Sequence, residues 1–257
     1  MRMSEAEQLL DCVMDLGEQM LICGGEVHWI EESLRTIFQS YGATKTDVFI
    51  ITSSMVVTIH TENGEAYTQT RRISDAAADF EMLHALNDCS RWICAMHPST
   101  AKIREKITTI TTKTKHYPLW LDFCCYGVIA GAFTLFFGGG TAMGGIAVLV
   151  GLLMRLSIWI CDKTVSNKIF TKFIAAFAAT LISLLAVYCH LIPGVDKVMI
   201  GNIMTLIPGI GLTNALRDLF VGDSIAGLLR TIEACIAALA IAGGFFAAVF
   251  MTGGVGL

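Results

Sequence analysis

Long apolar stretches in the second half of the chain constrain its fold more than any other feature. After Pro118, runs of about 20 residues carry almost no charge, which is the length an α-helix needs to cross a membrane. Of the 18 basic and 22 acidic side chains, 27 lie before Pro118 and only 13 lie beyond it. This asymmetry excludes a single water-soluble globule and a disordered chain.

The apolar stretches predict an α-helical membrane domain, residues 119–257, with about five transmembrane helices. Pro208 and Gly209 interrupt the fourth helix, because proline lacks the backbone donor that a helix requires. The fifth stretch is longer than a bilayer needs, which favours a tilted helix. The predicted spans are Leu119 to Phe137, Met143 to Ile160, Phe173 to Leu191, Val198 to Leu216 and Ile225 to Met251.

Residues 1–118 predict a separate α+β domain. Apolar residues recur at helical spacing in the first stretch, and Gly24-Gly25 would end that helix. A segment rich in Val, Ile and Thr follows, with the hairpin signal Asn63-Gly64 after it. The predicted order is helix Ser4–Cys23, helix Glu26–Tyr41, strand-forming segment Asp47–His60, return strand Ala66–Ile73, helix Asp75–Met96 and helix Ser99–Lys115.

The distribution of lysines predicts the orientation in the membrane. Lys163, Lys168 and Lys172 lie between the second and third spans, whereas Lys197 is the only basic residue predicted on the opposite side. By the positive-inside rule, the first domain lies in the cytosol and the carboxyl terminus lies outside. The first residues are polar and do not form a secretory signal. We therefore expect a multi-pass membrane protein whose first domain lies in the cytosol.

The segment PGIGLTNALRDLFVGDSIAGLLRTIE, residues 208–233, is the best candidate for function. An ionisable group at the membrane centre costs roughly 2.5–3.5 kcal/mol, so several in one short stretch need a reason. One interpretation is a substrate and proton pathway, and the alternative is an interfacial loop with ordinary salt bridges. The predicted pathway residues are Pro208, Gly209, Thr213, Asn214, Arg217, Asp218, Asp223, Arg230 and Glu233.

Within the predicted pathway, the arginines and the acidic residues have different expected roles. Arg217 or Arg230 would meet an anionic group, and Asp218 or Glu233 would carry a proton. In the cytosolic domain, Glu26 and Glu31 lie at the start of a predicted helix, where the helix dipole favours acidic side chains. Helix capping explains both, and a role in gating or substrate capture is the alternative.

Other motifs point to packing rather than chemistry. The pairs Gly127/Gly131 and Gly140/Gly144 have the spacing that lets membrane helices pack closely, and they favour self-association into a homo-oligomer. The nine cysteines form no disulfide framework, and His84, Cys89, Cys94 and His97 match no zinc pattern. The chain lacks nucleotide-binding and hydrolase motifs. We therefore predict no metal, no cofactor and no enzyme activity, and the net charge of −4 excludes nucleic acid as a partner.

The run PGIGLTNALRDLFVGDSIAGLLRTIEACIAALAIAGG resembles the signature of the threonine/serine exporter (ThrE) family. The run GGEVHWIEESLRTIFQSYG and the TRRI stretch at Thr70 to Ile73 are similar to that family's cytosolic domain. The resemblance is closest to the larger subunit of the split form, so it implies a separate small membrane subunit of the same family as partner. The matching motif positions are Pro208, Gly209, Thr213, Asn214, Arg217, Asp218, Gly222, Asp223, Gly227, Arg230 and Glu233.

The resemblance implies export of small polar metabolites, such as threonine, serine or a dicarboxylate like succinate, driven by the proton gradient. Two alternatives stay open on the sequence. One is a membrane-anchored cytosolic enzyme or sensor domain, although five spans exceed what anchoring requires. The other is a passive channel or scaffold subunit, which differs from a coupled exporter in its independence of the proton gradient.

Overall fold

The computed structural model of the chain describes residues 5–73, 78–113, 117–165 and 167–253. The described residues form mainly helices, with one small sheet. In chain order the elements are α1 Glu5–Ile22, α2 Val27–Ser40, β1 Lys45–Ile51, β2 Ser54–His60, β3 Ala66–Arg72, α3 Phe80–Met96, α4 Thr100–Lys113, α5 Leu119–Phe136, α6 Thr141–Thr164, α7 Lys168–Tyr188, α8 Asp196–Leu206, α9 Gly209–Val221 and α10 Ser224–Met251.

The chain divides into two compact units, and both are discontinuous in sequence. The first unit comprises residues 1–115 and 213–231, and the second comprises residues 116–212 and 232–257. The second half of α9 and the start of α10 therefore belong with the α+β elements. The predicted boundary between an α+β domain of residues 1–118 and a membrane domain of residues 119–257 stays a prediction.

The core of the first unit lies between α1, α2 and one face of the sheet. Leu16, Met20 and Leu34 are fully buried there, and Met55 and Val57 face them from β2, whose residues alternate between buried and half-buried. Such alternation is typical of a sheet with one face on the core. Ala226, from the start of α10, completes this core.

The strand-forming segment folds as two strands rather than one. A tight turn at Thr52-Ser53 separates β1 from β2, and the three strands form an antiparallel sheet in the order β1-β2-β3. The turn was missed because it contains neither glycine nor asparagine. The turn at Asn63-Gly64 is confirmed, with Gly64 at a φ of 80°. Helix α3 begins at Phe80, where Asp79 accepts the N–H of Met82, and the earlier predicted start lies outside the described residues.

Four helices of the described chain are long and apolar enough to cross a membrane, and a bent pair allows a fifth. The four are α5, α6, α7 and α10, and the bent pair is α8 with α9. The predicted helix break is confirmed, because α8 ends before Pro208 and α9 leaves at an angle of 56°. Ile207 is extended (φ −65°, ψ 128°), as residues that precede proline prefer.

Glycines bring the helices of the second unit into close contact. A Cβ on Gly131 of α5 would lie 2.6 Å from Val148 Cγ2 and 3.2 Å from the Gly144 carbonyl oxygen of α6. A Cβ on Gly201 of α8 would lie 2.6 Å from the Ala130 carbonyl oxygen and closer still to Thr134 Oγ1. These glycines pack helices of the same chain, so their spacing is no longer an argument for self-association.

Candidate functional site

A group of charged side chains in the first unit contains most of the ionisable pathway candidates. We call this group the charged cluster; it consists of Glu26, His28, Arg217, Asp218, Asp223 and Arg230. At its centre, Arg230 Nη1 lies 3.2 Å from Asp218 Oδ2, and Arg230 Nη2 donates to the Gly25 carbonyl at 3.1 Å. The side chains of Asp218 and Arg230 are only 2% and 14% exposed. The pair is therefore largely removed from solvent.

The central ion pair leaves one buried oxygen without a hydrogen bond. Asp218 Oδ2 is close to Arg230 Nη1, but the geometry is not that of a hydrogen bond, and no donor reaches this oxygen within the described residues. A buried carboxylate that is charge-paired but short of donors is costly. It would be relieved by a proton or by a change of partner.

Two further contacts surround the central pair. Arg217 Nη1 donates to Glu26 Oε1 at 2.8 Å, although the Arg217 side chain is 65% exposed. His28 Nδ1 lies 3.7 Å from Asp223 Oδ2, another buried oxygen without a hydrogen-bond donor in the described part of the chain. The charged cluster contains three carboxylates and two guanidinium groups. With a neutral His28 it carries one net negative charge, and a protonated His28 would cancel it.

The end of α1 explains how the Gly25 carbonyl reaches Arg230. Gly24 adopts a φ of 85°, and the N–H groups of Gly24 and Gly25 donate to the carbonyls of Leu21 and Met20. This is a Schellman termination, which needs glycine in the left-handed position. A Cβ on Gly25 would lie 2.8 Å from Ile30 Cδ1. The Gly24-Gly25 pair therefore lets the chain turn tightly into α2.

Glu26 and Glu31 have different surroundings. Glu26 occupies the N-cap position of α2, but its side chain makes no capping hydrogen bond and instead accepts from Arg217. The capping interpretation of Glu26 is therefore wrong. Glu31 is half-buried and accepts the Ile50 N–H of β1 at 2.9 Å. Burial raises the pKa of Glu31, the Ile50 N–H offsets part of this, and the negative charge of Asp223 raises the pKa further.

The remaining candidates do not join the charged cluster. Pro208 and Gly209 form the break between α8 and α9. Thr213 is exposed and Asn214 is half-buried on α9. Glu233 is exposed on α10, and it forms no ion pair among the residues that the structure describes. The expected side-by-side use of Arg230 and Glu233 stays a prediction.

Sequence reasoning missed two members of this site. The Gly25 carbonyl carries no side-chain signal, and only its position in a Gly-Gly helix end hinted at close packing. His28 lies between Val27 and Trp29, where nothing in the local pattern marks it as a partner of Asp223. Both meet residues that lie about 200 positions further along the chain, a pairing that local periodicity does not report.

A pocket of about 770 Å³ lies elsewhere in the first unit. Tyr41, Glu62 and His97 line it, and none of the predicted site residues does. Tyr41 donates to the Pro98 carbonyl at 2.7 Å, and its ring meets the His97 ring edge-on at 5.3 Å.

Four apolar helices long enough to cross a membrane, and a bent pair that allows a fifth, are typical of a multi-pass membrane protein. The chain matches the family described as "Putative threonine/serine exporter" (ThrE) over residues 11–252. It belongs to the threonine/serine exporter family, as its motifs predicted. It is also 25% identical over 236 residues to the "Probable succinate transporter subunit YjjP" of Klebsiella aerogenes, covering 90% of this chain and 88% of that protein. No solved structure matches the chain.

Proposed function

We propose that this chain is one subunit of a proton-driven exporter of small polar metabolites that carry a carboxylate. The Arg230–Asp218 pair carries this proposal, because two opposite charges at 3.2 Å are buried next to apolar helices with one carboxylate oxygen lacking a donor. Membrane proteins place such groups where a substrate or a proton passes. Threonine, serine and dicarboxylates such as succinate all present the carboxylate that a guanidinium recognises.

The mechanism follows from a competition for Arg230. A substrate carboxylate that accepts from the guanidinium takes the place of Asp218, and return of Asp218 to Arg230 releases the substrate. Export driven by the inward proton gradient exchanges substrate for a proton, so the proton binds Asp218 in the substrate-free half of the cycle, where it cancels the charge that holds Asp218 to Arg230. The bent α8–α9 pair supports a path of this kind, since broken helices in transporters provide backbone groups for ligands.

The proposal includes a partner and an orientation. The K. aerogenes relative is named as a subunit, and we infer that this chain also works with a small membrane subunit of its family. The lysines between α6 and α7 favour an inner-membrane protein whose first unit faces the cytosol.

Efflux from cells that co-express this chain and the small subunit tests the proposal. Asp218→Asn and Arg230→Gln should each abolish efflux of threonine, serine or succinate at normal expression, and Arg217→Gln and Glu233→Gln test the outer residues. Lys197→Gln is the control, because Lys197 pairs only with its neighbour Asp196. Unchanged efflux in both central variants would refute the proposed path. Efflux that persists after collapse of the proton gradient would indicate a passive channel.

A sensor domain is a second candidate, favoured by the pocket beside Tyr41 and His97. A sensor would bind a small metabolite there without moving it across the membrane. Thermal unfolding of the full chain with candidate metabolites tests this function: a ligand that raises the melting temperature of the wild type but not of Tyr41→Ala would support it. No shift with any exported metabolite would count against it.

A further inference from the structure

A second buried cation lies in α6, in the second unit, and the sequence analysis did not single it out. Arg155 lies in the apolar run LLMRLSIWI, nine residues before the end of α6 at Thr164. The predicted span ends at Ile160, five residues after Arg155, so at about 1.5 Å per residue Arg155 lies about 8 Å inside the expected end of the span. The Arg155 side chain is 14% exposed. A guanidinium in this position requires partners.

Asp122 of α5 satisfies only one edge of this guanidinium. Arg155 Nε and Nη2 both lie 2.6 Å from the same oxygen, Asp122 Oδ2. The rings of Phe123 and Tyr126 lie 5.7 and 5.5 Å from the guanidinium carbon, within reach of a cation–π interaction. In a fork-to-fork pair, two nitrogens meet two carboxylate oxygens. Here one oxygen serves two donors.

The other edge of the guanidinium has no hydrogen-bond acceptor. Arg155 Nη1 is buried and donates to no group in the described part of the chain. Asp162 Oδ2 lies 4.0 Å away, too far for a hydrogen bond. A buried donor without an acceptor costs free energy. A structural role for the ion pair does not explain why Nη1 lacks an acceptor.

We propose that Arg155 is a carboxylate-binding residue for the transported metabolite, and that its Nη1 edge donates hydrogen bonds to one carboxylate of that molecule. This inference rests on the proposed function. The chemistry favours a single carboxylate over a phosphate group, because Asp122 and Asp162 already place two negative charges near the guanidinium. Asp122 holds Arg155 in place through the Nε and Nη2 edge, and its negative charge opposes the carboxylate of the ligand.

Uptake into inside-out vesicles that contain this chain and the small subunit measures KM for threonine, serine and succinate. Arg155→Gln should raise KM by about tenfold or more, because the guanidinium that binds the carboxylate is lost. Arg155→Lys should have a KM between those of the wild type and Arg155→Gln, since lysine keeps the charge but not the fork. Asp122→Asn should lower KM, because the negative charge that opposes the ligand carboxylate is removed while the guanidinium stays.

The double variant Asp122→Asn/Arg155→Gln separates binding from folding, since two neutral amides replace the ion pair and leave neither charge unpaired. If the pair only fastened α5 to α6, this variant would recover the expression and the KM of the wild type, and the inference would be overturned. Recovery of expression with a raised KM supports it.

Failure of the proposed function is distinguishable from failure of this inference. Normal wild-type uptake with an unchanged KM in Arg155→Gln would overturn the inference alone. Absence of wild-type uptake would count against the exporter, and binding is then measured on the purified full chain in uncharged detergent. There, succinate or threonine should raise the melting temperature of the wild type but not of Arg155→Gln. An equal shift, or none in either protein, would overturn the inference.

Discussion

At the scale of single residues, the Glu31 carboxylate is half-buried between α2 and β1 and accepts the Ile50 N–H at 2.9 Å. Its pKa is raised, chiefly by burial, so the folded chain holds this proton more tightly than the unfolded chain. The carboxyl group therefore favours folding most at acidic pH. This contribution falls as the pH rises from the ordinary value of 4.5 through the raised pKa.

Glu31→Gln keeps an acceptor oxygen for Ile50 without the desolvated charge. We expect this variant to be at least as stable as the wild type near neutral pH, with the difference shrinking as the pH approaches 4.5. Thermal unfolding of the purified chain across this pH range measures the effect, and the exposed neighbour Glu32→Gln is the control. A Glu31→Gln protein less stable than the wild type near neutral pH would contradict the argument.

The central pair of the charged cluster should behave as a coupled unit. Removing one member of a buried ion pair typically costs about 3–5 kcal/mol, because the other charge is left alone. We expect Asp218→Asn and Arg230→Gln each to destabilise the chain on this scale, and the double variant to cost clearly less than their sum. Thermal or denaturant unfolding in detergent measures the cycle.

Arg217→Gln is the matched comparison for that cycle. Its side chain is 65% exposed, and exposed ion pairs contribute only about 0–1 kcal/mol. Additive single effects at Asp218 and Arg230 would show that the two side chains are not coupled. Residue types and spacing were enough to nominate both, but Arg230 also contacts the Gly25 carbonyl after α1, which the local pattern of α9 and α10 does not contain.

At the scale of secondary-structure elements, the contact of α8 with α5 depends on Gly201. We expect Gly201→Ala to destabilise the second unit by about 1–3 kcal/mol, because the added Cβ would meet the Ala130 carbonyl at 2.6 Å. Gly145→Ala of α6 is the control, since no described atom lies within 4 Å of its Cβ position. Alanine there should be neutral or stabilising by about 0.5–1 kcal/mol. Unfolding in detergent compares the two, and equal effects would refute the role of Gly201.

Elements with a strong local cause were predictable. The break at Pro208 follows from the missing proline donor, and the turn at Gly64 follows from the Asn-Gly pair. The turn at Thr52-Ser53 was missed because its residues also favour strands. The glycine pair of α5 was recognised as a packing motif, but spacing alone does not say whether the neighbouring helix belongs to the same chain.

At the scale of the whole molecule, residues 213–231 complete the first unit. They contribute Ala226 to its core and Arg217 and Arg230 to its polar contacts. We expect a fragment of residues 1–115 to unfold at a lower temperature than the same fragment joined by a flexible linker to residues 213–231. Circular dichroism during heating compares the two. Identical melting would show that the segment adds nothing to the unit.

The sequence could not reveal this arrangement, because hydropathy assigns residues 213–231 to the apolar half of the chain. Composition distinguishes polar from apolar stretches, but it does not show which stretches contact each other. Arg230, in the apolar half, donates to the Gly25 carbonyl in the polar half. The charges of the polar half predicted one domain there. Nothing in that half indicates that residues 213–231 belong with it.

The discontinuity of the first unit also sets an order of events during synthesis. The ribosome delivers residues 1–115 first, but residues 213–231, which comprise most of α9 and the first turns of α10, follow only after roughly a hundred further residues have been made. Until then the Gly25 carbonyl and the Glu26 carboxylate lack Arg230 and Arg217, their partners in the complete unit. A nascent chain stalled before α9 therefore presents an unfinished surface, which a chaperone or protease could use to distinguish it from a completed molecule.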